Sequence, residues 1–187
     1  MGYLKVMKLE WVNQDKYGKI LSRHVENPNS YVLGMIDLLS VQMSQINRNI
    51  QDITNTTRSV PAHANNYRLD AGVGVVAEGI VLGTGNNAVD IDNYSLQTPI
   101  NHGVGVGQLQ YLSPSFTAPV TSGTTRFFTI ARSFVNGSGG DITALEIAIY
   151  VYAGSAPWSF CIERSITNNT IVNLATGTAT YTIGVTV

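Results

Sequence analysis

Few side chains in this 187-residue sequence have the types and spacing that catalysis or metal binding requires. His24, His63 and His102 are not spaced with one another, or with Cys161, in any metal-binding motif. Cys161 would need a histidine base to act as a nucleophile, and the sequence does not place His102 beside it. We therefore predict a structural cysteine, no metal, no cofactor and no enzymatic activity.

One pair of carboxylates has the close spacing found in calcium loops. Asp90 and Asp92 are separated by one residue and followed by Asn93. The flanking helices and the closing glutamate of the calcium-binding pattern are missing, so a solvated turn is the simpler interpretation. The glycine-rich runs at residues 83–85 and 103–107 are likewise not followed by Lys-Ser/Thr or by a helical pattern, which favours turns over phosphate binding.

The charges inside the predicted strands form the remaining candidate site. Glu146 and Glu163 could in principle flank a glycosidic bond as a pair of carboxylates. Arg132 and Arg164 lie in predicted strands as well, and ion pairing across neighbouring strands accounts for all four residues more simply.

Composition restricts the partners. Charged residues make up 12% of the chain, apolar residues 44%, and the net charge is −1. Proteins that bind nucleic acid through bulk charge carry a positive potential, so we expect no nucleic-acid partner. No apolar run approaches the ~18 residues that cross a bilayer, because Asp37, Glu78 and Glu146 interrupt the candidates, and the N-terminus lacks an uninterrupted signal-peptide core. We expect no membrane partner.

The elements that must position these residues fall into two regions. All lysines and all methionines precede Thr54, which is the first threonine of the chain. This change predicts a linker at residues 54–61 and two units, an N-terminal anchor at residues 1–57 and a β-sandwich domain at residues 58–187. Residues 3–12 and 19–21 have the pattern of a small hairpin.

A long helix is predicted over residues 31–53, where apolar residues recur at spacings of three and four. Asp37 lies on its polar side, with Val41 as an apolar exception. Two interpretations of the apolar stripe stay open: it packs on the β-domain of its own chain, or it meets copies of itself as an assembly interface. The stripe consists of Val32, Ile36, Leu39, Met43, Ile46 and Ile50.

The rest of the chain has the period-2 alternation of strands, separated by glycine and asparagine clusters. The strand candidates are residues 75–82, 108–116, 125–134, 142–152, 158–166 and 178–187. With no helical pattern between them, they predict a mainly β protein, an antiparallel β-sandwich or jelly-roll-like domain with an N-terminal hairpin and one long α-helix.

Several runs resemble those of virion proteins from tailed bacteriophages. They are residues 52–59 (DITNTTRS), 79–96 (GIVLGTGNNAVDIDNYSL), 107–111 (GQLQY), 134–143 (FVNGSGGDIT) and 146–150 (EIAIY), and the similarity extends over most of residues 30–187. The resemblance implies a structural component of the head, neck or tail that is assembled in the host cytoplasm and transfers no catalytic residue. We expect a multi-copy capsid decoration or a neck or tail adaptor, with other virion proteins as partners and a homo-oligomeric state.

The alternative function is a receptor- or carbohydrate-binding module at a tail tip. Tyr150, Tyr152 and Trp158 lie near one predicted loop end and would be its stacking residues. A small hydrolase is a remote third hypothesis, because no catalytic site is recognisable.

Overall fold

A computed structural model describes residues 4–27, 30–44, 46–154 and 158–186, and within them the chain forms thirteen β-strands and one α-helix. The first elements are β1 (Leu4–Gln14), β2 (Ile20–Glu26), β3 (Ser30–Tyr31), α1 (Leu33–Ser44), β4 (Arg48–Gln51) and β5 (Thr57–Val60). The others are β6 (Gly79–Gly83), β7 (Gln110–Tyr111), β8 (Ser115–Phe116), β9 (Val120–Ser122), β10 (Thr125–Val135), β11 (Ile142–Ala153), β12 (Trp158–Ile171) and β13 (Thr176–Thr186). Tyr3 and Val187, at the outer ends of predicted strands, lie outside the described residues.

The strands form two main antiparallel sheets. The larger has the order β2-β1-β13-β10-β7, with β8 and β9 also paired to β10, and the smaller has the order β3-β12-β11-β6. Side chains join the two across the core: Tyr181 donates a hydrogen bond to Glu163, and Asn13 donates one to Asn169. The predicted fold class, a mainly β and sandwich-like protein with one helix, is confirmed.

Alternation along the strands explains which side faces the core. In β13 the inward residues are small, aromatic or aliphatic, and the outward ones are threonines that remain partly exposed. The outward face suits a strand, because β-branched threonine has a high β-propensity. The inward residues are Gly177, Ala179, Tyr181 and Ile183; the outward ones are Thr176, Thr178, Thr180 and Thr182.

The predicted N-terminal hairpin is present and belongs to the larger sheet. β1 pairs with β2 on one side and with β13 on the other, so its pairing crosses the predicted boundary between residues 57 and 58. The turn between β1 and β2 is closed by Asp15, whose Oδ1 accepts hydrogen bonds from the backbone N–H groups of Tyr17 (2.8 Å) and Lys19 (2.9 Å). We call residues 15–19 the hairpin tip.

The helix is much shorter than predicted. It ends at Ser44, whose Oγ accepts a hydrogen bond from the backbone N–H of Ile46 (3.3 Å), and the chain then enters β4. Asn47 and Asn49 follow this end, and asparagine disfavours helix interiors because its side chain competes for backbone hydrogen bonds. The apolar pattern continues past residue 44 because Ile50 is a core residue, but it belongs to strand β4 and not to the helix.

The buried face of α1 also differs from the predicted stripe. Met35, Leu38 and Val41 are buried, so Val41 is part of the core and not an exception on the polar side. The helix lies close to β12, and a Cβ at Gly34 would collide with the Cys161 carbonyl oxygen. Glycine at this position therefore permits the close approach of helix and sheet.

The predicted linker at residues 54–61 is an ordered turn followed by β5, which pairs with β4. Asp52 organises the turn: its Oδ1 accepts hydrogen bonds from Thr54 N–H (2.9 Å) and Thr56 N–H (3.0 Å), and its Oδ2 from Arg58 (2.6 Å). Burial raises the pKa of the Asp52 carboxyl, but these hydrogen bonds outweigh burial, and the pKa is lowered overall.

Candidate functional site

A buried ion pair lies on the outer side of the smaller sheet. Arg164 of β12 and Glu146 of β11 are diagonal neighbours, and Arg164 Nη2 lies 2.9 Å from Glu146 Oε2. The two side chains are 2% and 0% exposed. The predicted cross-strand ion pairing is confirmed for these two residues.

The ion pair holds the loop that follows β6. The Glu146 carboxylate accepts hydrogen bonds from three backbone N–H groups of this loop, those of Gly85 (3.1 Å), Gln97 (2.9 Å) and Thr98 (2.7 Å). The Arg164 guanidinium donates hydrogen bonds to three oxygens of the loop. They are the side-chain Oδ1 of Asn93 (2.9 Å) and the carbonyl oxygens of Asn87 (3.2 Å) and Ala88 (3.4 Å). A Cβ at Gly85 would lie 2.6 Å from Glu146 Oε1, so glycine lets the backbone reach the carboxylate. Both charges therefore serve to fix residues 84–98 over the sheet.

Among the described residues, three clefts open where this loop meets its neighbours, and two of them are lined by Tyr94. The first, of about 350 Å³, lies between α1, β4 and the loop, and Asp37, Gln51, Asp92 and Tyr94 are among its lining residues. The second, of about 400 Å³, lies on the loop's other side, and Tyr94 lines it too. We call the first the Asp37 cleft. Within the described residues, no hydrogen bond or ion pair reaches the carboxylate of Asp37 or of Asp92.

Three exposed apolar side chains lie at or next to the lining of the Asp37 cleft: Leu33 lines it, Ile36 precedes Asp37 in the chain, and Ile91 precedes Asp92. Leu33 is 43% exposed, Ile36 60% and Ile91 62%. The backbone joins two of them, since the N–H of Leu33 donates to the carbonyl oxygen of Ile91 (3.0 Å). We call these three residues the apolar rim. Clustered exposed apolar side chains of this kind mark interaction surfaces more often than isolated ones do.

The predicted assembly stripe does not form one surface. Val32 and Ile50 are buried in the core of their own chain, and Leu39 is partly buried. Ile36 and Ile46 are exposed, but Ile46 lies beyond the helix end. The Met43 side chain lies outside the described part of the structure. Of the stripe, only Ile36 belongs to the apolar rim.

Glu163 does not pair with Glu146 in a catalytic arrangement. Glu163 points into the sandwich, where its carboxylate accepts hydrogen bonds from Tyr181 Oη (2.6 Å) and from Ser165 Oγ. Glu146 faces the loop on the opposite side of the sheet. Burial raises the pKa of the Glu163 carboxyl to about 7, although the hydrogen bonds from Ser165 and Tyr181 oppose the shift.

Cys161 and His102 have separate partners. The buried Cys161 thiol donates to the carbonyl oxygen of Glu163 (3.3 Å), and burial raises its pKa, which disfavours the thiolate a nucleophile requires. His102 Nδ1 instead accepts a hydrogen bond from the backbone N–H of Tyr111 (3.1 Å). Each side chain therefore has a structural contact of its own.

The aromatic residues assigned to glycan stacking are already engaged. Tyr150 is buried, and its hydroxyl oxygen accepts a hydrogen bond from the backbone N–H of Leu96 (2.6 Å). The guanidinium of Arg68 lies 4.4 Å from the ring centre of Tyr152, and that of Arg58 lies 5.5 Å from the ring centre of Trp158. These cation–π contacts cover one face of each ring.

The sequence marks few of the residues at the cleft. Asp90 and Asp92 are predicted as a solvated turn, and Asp90 Oδ1 indeed accepts the N–H of Asp92 (2.9 Å). Asp37 lies off the buried helix face, as predicted. No pattern marks Tyr94 or Ile91, because their role depends on the path of an irregular loop.

The described residues contain no group of three or more His, Cys, Asp or Glu side chains placed to hold a metal ion. Among the same residues, no helix is both long enough and apolar enough to span a membrane. No family model matches the chain, and comparison with curated proteins and with solved structures gives no significant match.

Proposed function

We propose that this chain is a multi-copy structural subunit of a tailed-phage virion, a capsid decoration or a neck or tail adaptor that acts through protein–protein contacts. The observation that carries the proposal is the apolar rim: Leu33 lines the Asp37 cleft, Ile36 and Ile91 adjoin residues that line it, and all three side chains are exposed. Burial of such side chains against another protein removes apolar area from water, which favours association.

The phage-like runs of the sequence support the same proposal. Residues 79–96 comprise all of β6 and most of the loop that carries Ile91 and Asp92, and residues 134–143 comprise the turn between β10 and β11 with the adjoining strand ends. Polar turn residues in both runs hold the backbone. Asn136 Nδ2 donates to the carbonyl oxygens of Gly140 (2.8 Å) and Ile171 (2.7 Å), and Asn93 Oδ1 accepts the N–H of Asp90 (2.9 Å). Residues of this kind suit a rigid building block.

The buried charges of the described residues are also used internally. Glu146 and Arg164 hold a loop, Glu163 binds Tyr181, and Arg132 donates to backbone carbonyl oxygens that include those of Val75 (2.7 Å) and Glu78 (2.8 Å). A scaffold in which charge stabilises loops, while apolar groups face outward, fits a subunit that binds other proteins.

The proposal is tested by counting copies in purified particles. Particles of the phage that encodes this chain are purified by density gradient, and the chain is quantified by mass spectrometry against a labelled standard and the major capsid protein. We expect a fixed ratio that corresponds to many copies per particle. Absence of the chain from purified particles, or a ratio that varies between preparations, contradicts the proposal.

A further inference from the structure

We propose that the hairpin tip of one copy docks at the Asp37 cleft of a second copy, so that copies join head to tail. The inference rests on the proposed function, because it names the contact through which copies associate. Two surfaces of the chain support the inference, the basic hairpin tip and the acidic Asp37 cleft, and their charges are complementary.

The hairpin tip is basic and aromatic. Tyr17 is 83% exposed, and Lys16 Nζ lies 5.0 Å from the centre of its ring. Neither Lys16 nor Lys19 forms an ion pair with a described residue, and Oδ1 of Asp15 accepts hydrogen bonds from two backbone N–H groups of the turn. The tip therefore presents two ammonium groups beside an exposed ring in a preformed turn. Pre-organisation of this kind lowers the entropy cost of binding.

The Asp37 cleft has the complementary chemistry. Asp37 and Asp92 line it together with Leu33, and the other two residues of the apolar rim, Ile36 and Ile91, directly precede these aspartates in the chain. Two carboxylates without a partner in the described residues attract the two ammonium groups of a tip, and the rim offers apolar contact to Tyr17. Charge complementarity thus selects a basic, apolar segment as the occupant, and the hairpin tip is such a segment.

The tip cannot reach the cleft of its own chain. Tyr17 lines a small cavity together with Val172 and Leu174, just beyond the end of β12. The Asp37 cleft lies at the other end of that strand, where Cys161 lines it. From residue 161 to residue 171 a strand extends about 33 Å, at ~3.3 Å per residue. Because β1 and β2 are paired within the sheet, a hairpin tip that binds in the cleft must belong to another copy.

A contact between two different surfaces of the same chain is heterologous. Each copy then offers one free tip and one free cleft, so association continues until a ring closes or an open chain forms. Since the attraction is between charges at the surface, salt weakens it. Both consequences are measurable.

The test uses sedimentation velocity of the full chain and two double variants, Lys16→Glu with Lys19→Glu and Asp37→Asn with Asp92→Asn. We expect the unmodified chain to form oligomers whose mean mass falls as salt is raised. Each double variant is expected to associate at least about tenfold more weakly. Arg126→Glu, an exposed charge reversal on β10, is the matched control and leaves association unchanged.

Mixing the two double variants gives the sharpest result. The unmodified tip of the Asp37→Asn, Asp92→Asn chain binds the unmodified cleft of the Lys16→Glu, Lys19→Glu chain, and the other two surfaces are disabled. The mixture should therefore form a 1:1 dimer that does not grow. Folding of every variant is checked by circular dichroism, so a loss of association is not mistaken for unfolding.

Several results overturn the docking. They are an unmodified chain that stays monomeric at low salt, folded variants that associate as well as the unmodified chain, and a mixture in which no dimer forms. A monomeric chain that is present in many copies per particle would refute the docking and leave the proposed function intact. If only the Asp37→Asn, Asp92→Asn variant is lost from particles, the cleft binds a basic segment of another virion protein, which also refutes the docking.

Discussion

The two outer faces of the sandwich differ in whether other elements cover them. The outer face of the smaller sheet is covered by α1 and the loop at residues 84–98, and the buried pair of Glu146 and Arg164 lies beneath them. The outer face of the larger sheet instead carries threonines and serines, where Ser133 Oγ and Thr178 Oγ1 are 2.8 Å apart, together with the partly exposed charges of Lys8, Glu10 and Arg23. On that face the described residues include no buried ion pair.

The difference shows what the burial of charge requires in this fold. An ion pair removed from water needs further hydrogen bonds, and here the covering loop supplies them. The same covering loop creates the clefts and exposes Ile91 at the rim. On the uncovered face, hydroxyl and charged groups remain accessible to water, so they do not need hydrogen bonds from a covering loop.

Removing the buried cation should have the largest effect on stability. Arg164→Met keeps much of the side-chain length but leaves the Glu146 carboxylate buried without its ion-pair partner. We expect a loss of about 3–5 kcal/mol of unfolding free energy, the usual cost of breaking a buried pair. Urea denaturation followed by tryptophan fluorescence measures it.

Arg126→Met is the control for this prediction, because Arg126 is exposed and donates a single side-chain hydrogen bond, to Thr121 (2.9 Å). We expect it to change stability by less than about 0.5 kcal/mol. Equal, small effects of the two substitutions would show that the covering loop does not depend on the ion pair.

A smaller and pH-dependent effect is expected from Glu163→Gln in the core. The pKa of this carboxyl is ordinarily near 4.5 and is about 7 in the folded protein. Between these values the folded state binds more protons than the unfolded state, so the group's contribution to stability is present below pH 4.5 and is lost as pH rises through 7. Glutamine keeps an acceptor for Tyr181 and cannot ionise.

The measurement is the difference in unfolding free energy between Glu163→Gln and the unmodified chain at pH 5 and at pH 8. We expect this difference to move in favour of the variant by on the order of 2–3 kcal/mol across that interval. Parallel stability curves for the two proteins would mean that Glu163 does not titrate in this range.

The smallest effect is expected on the uncovered face. Thr180→Val replaces a partly exposed threonine of β13 by a residue of similar shape and β-propensity. Unfolding free energy should change by less than about 0.5 kcal/mol, and association should not change. Thermal-shift experiments measure the change in stability and sedimentation measures association. A loss of association would identify the threonine face, rather than the covered face, as a contact surface.

The fold could be predicted largely because its signals are local. The alternation in β10, β11 and β13 and the glycine-rich turn before Ile142 define strands without reference to the rest of the chain. The length and the buried side of α1 could not be predicted, because apolar residues occupy two adjacent rows of the helix. Met35 and Ile36 fit the helical repeat of apolar residues equally well. Packing of α1 on β12 determines that Met35 is buried and Ile36 is exposed.

The site depended on non-local geometry. Cross-strand pairing correctly described Glu146 and Arg164, but it was wrong for Arg132, which donates to backbone carbonyl oxygens, and for Glu163, which binds Tyr181 of the other sheet. Burial lowers the pKa of Arg132 to about 10. The register of the strands and the path of the loop determine these contacts, and neither is visible in residue spacing.

An electron cryomicroscopy map of the assembled particle tests the central claim most directly, because it shows which face of each copy is in contact. We predict that the apolar rim of Leu33, Ile36 and Ile91 is buried against a neighbouring protein, while the threonine face of β13 remains open to solvent. A map in which the rim faces solvent and the threonine face makes the contacts, or in which the chain is absent from the particle, would contradict the account.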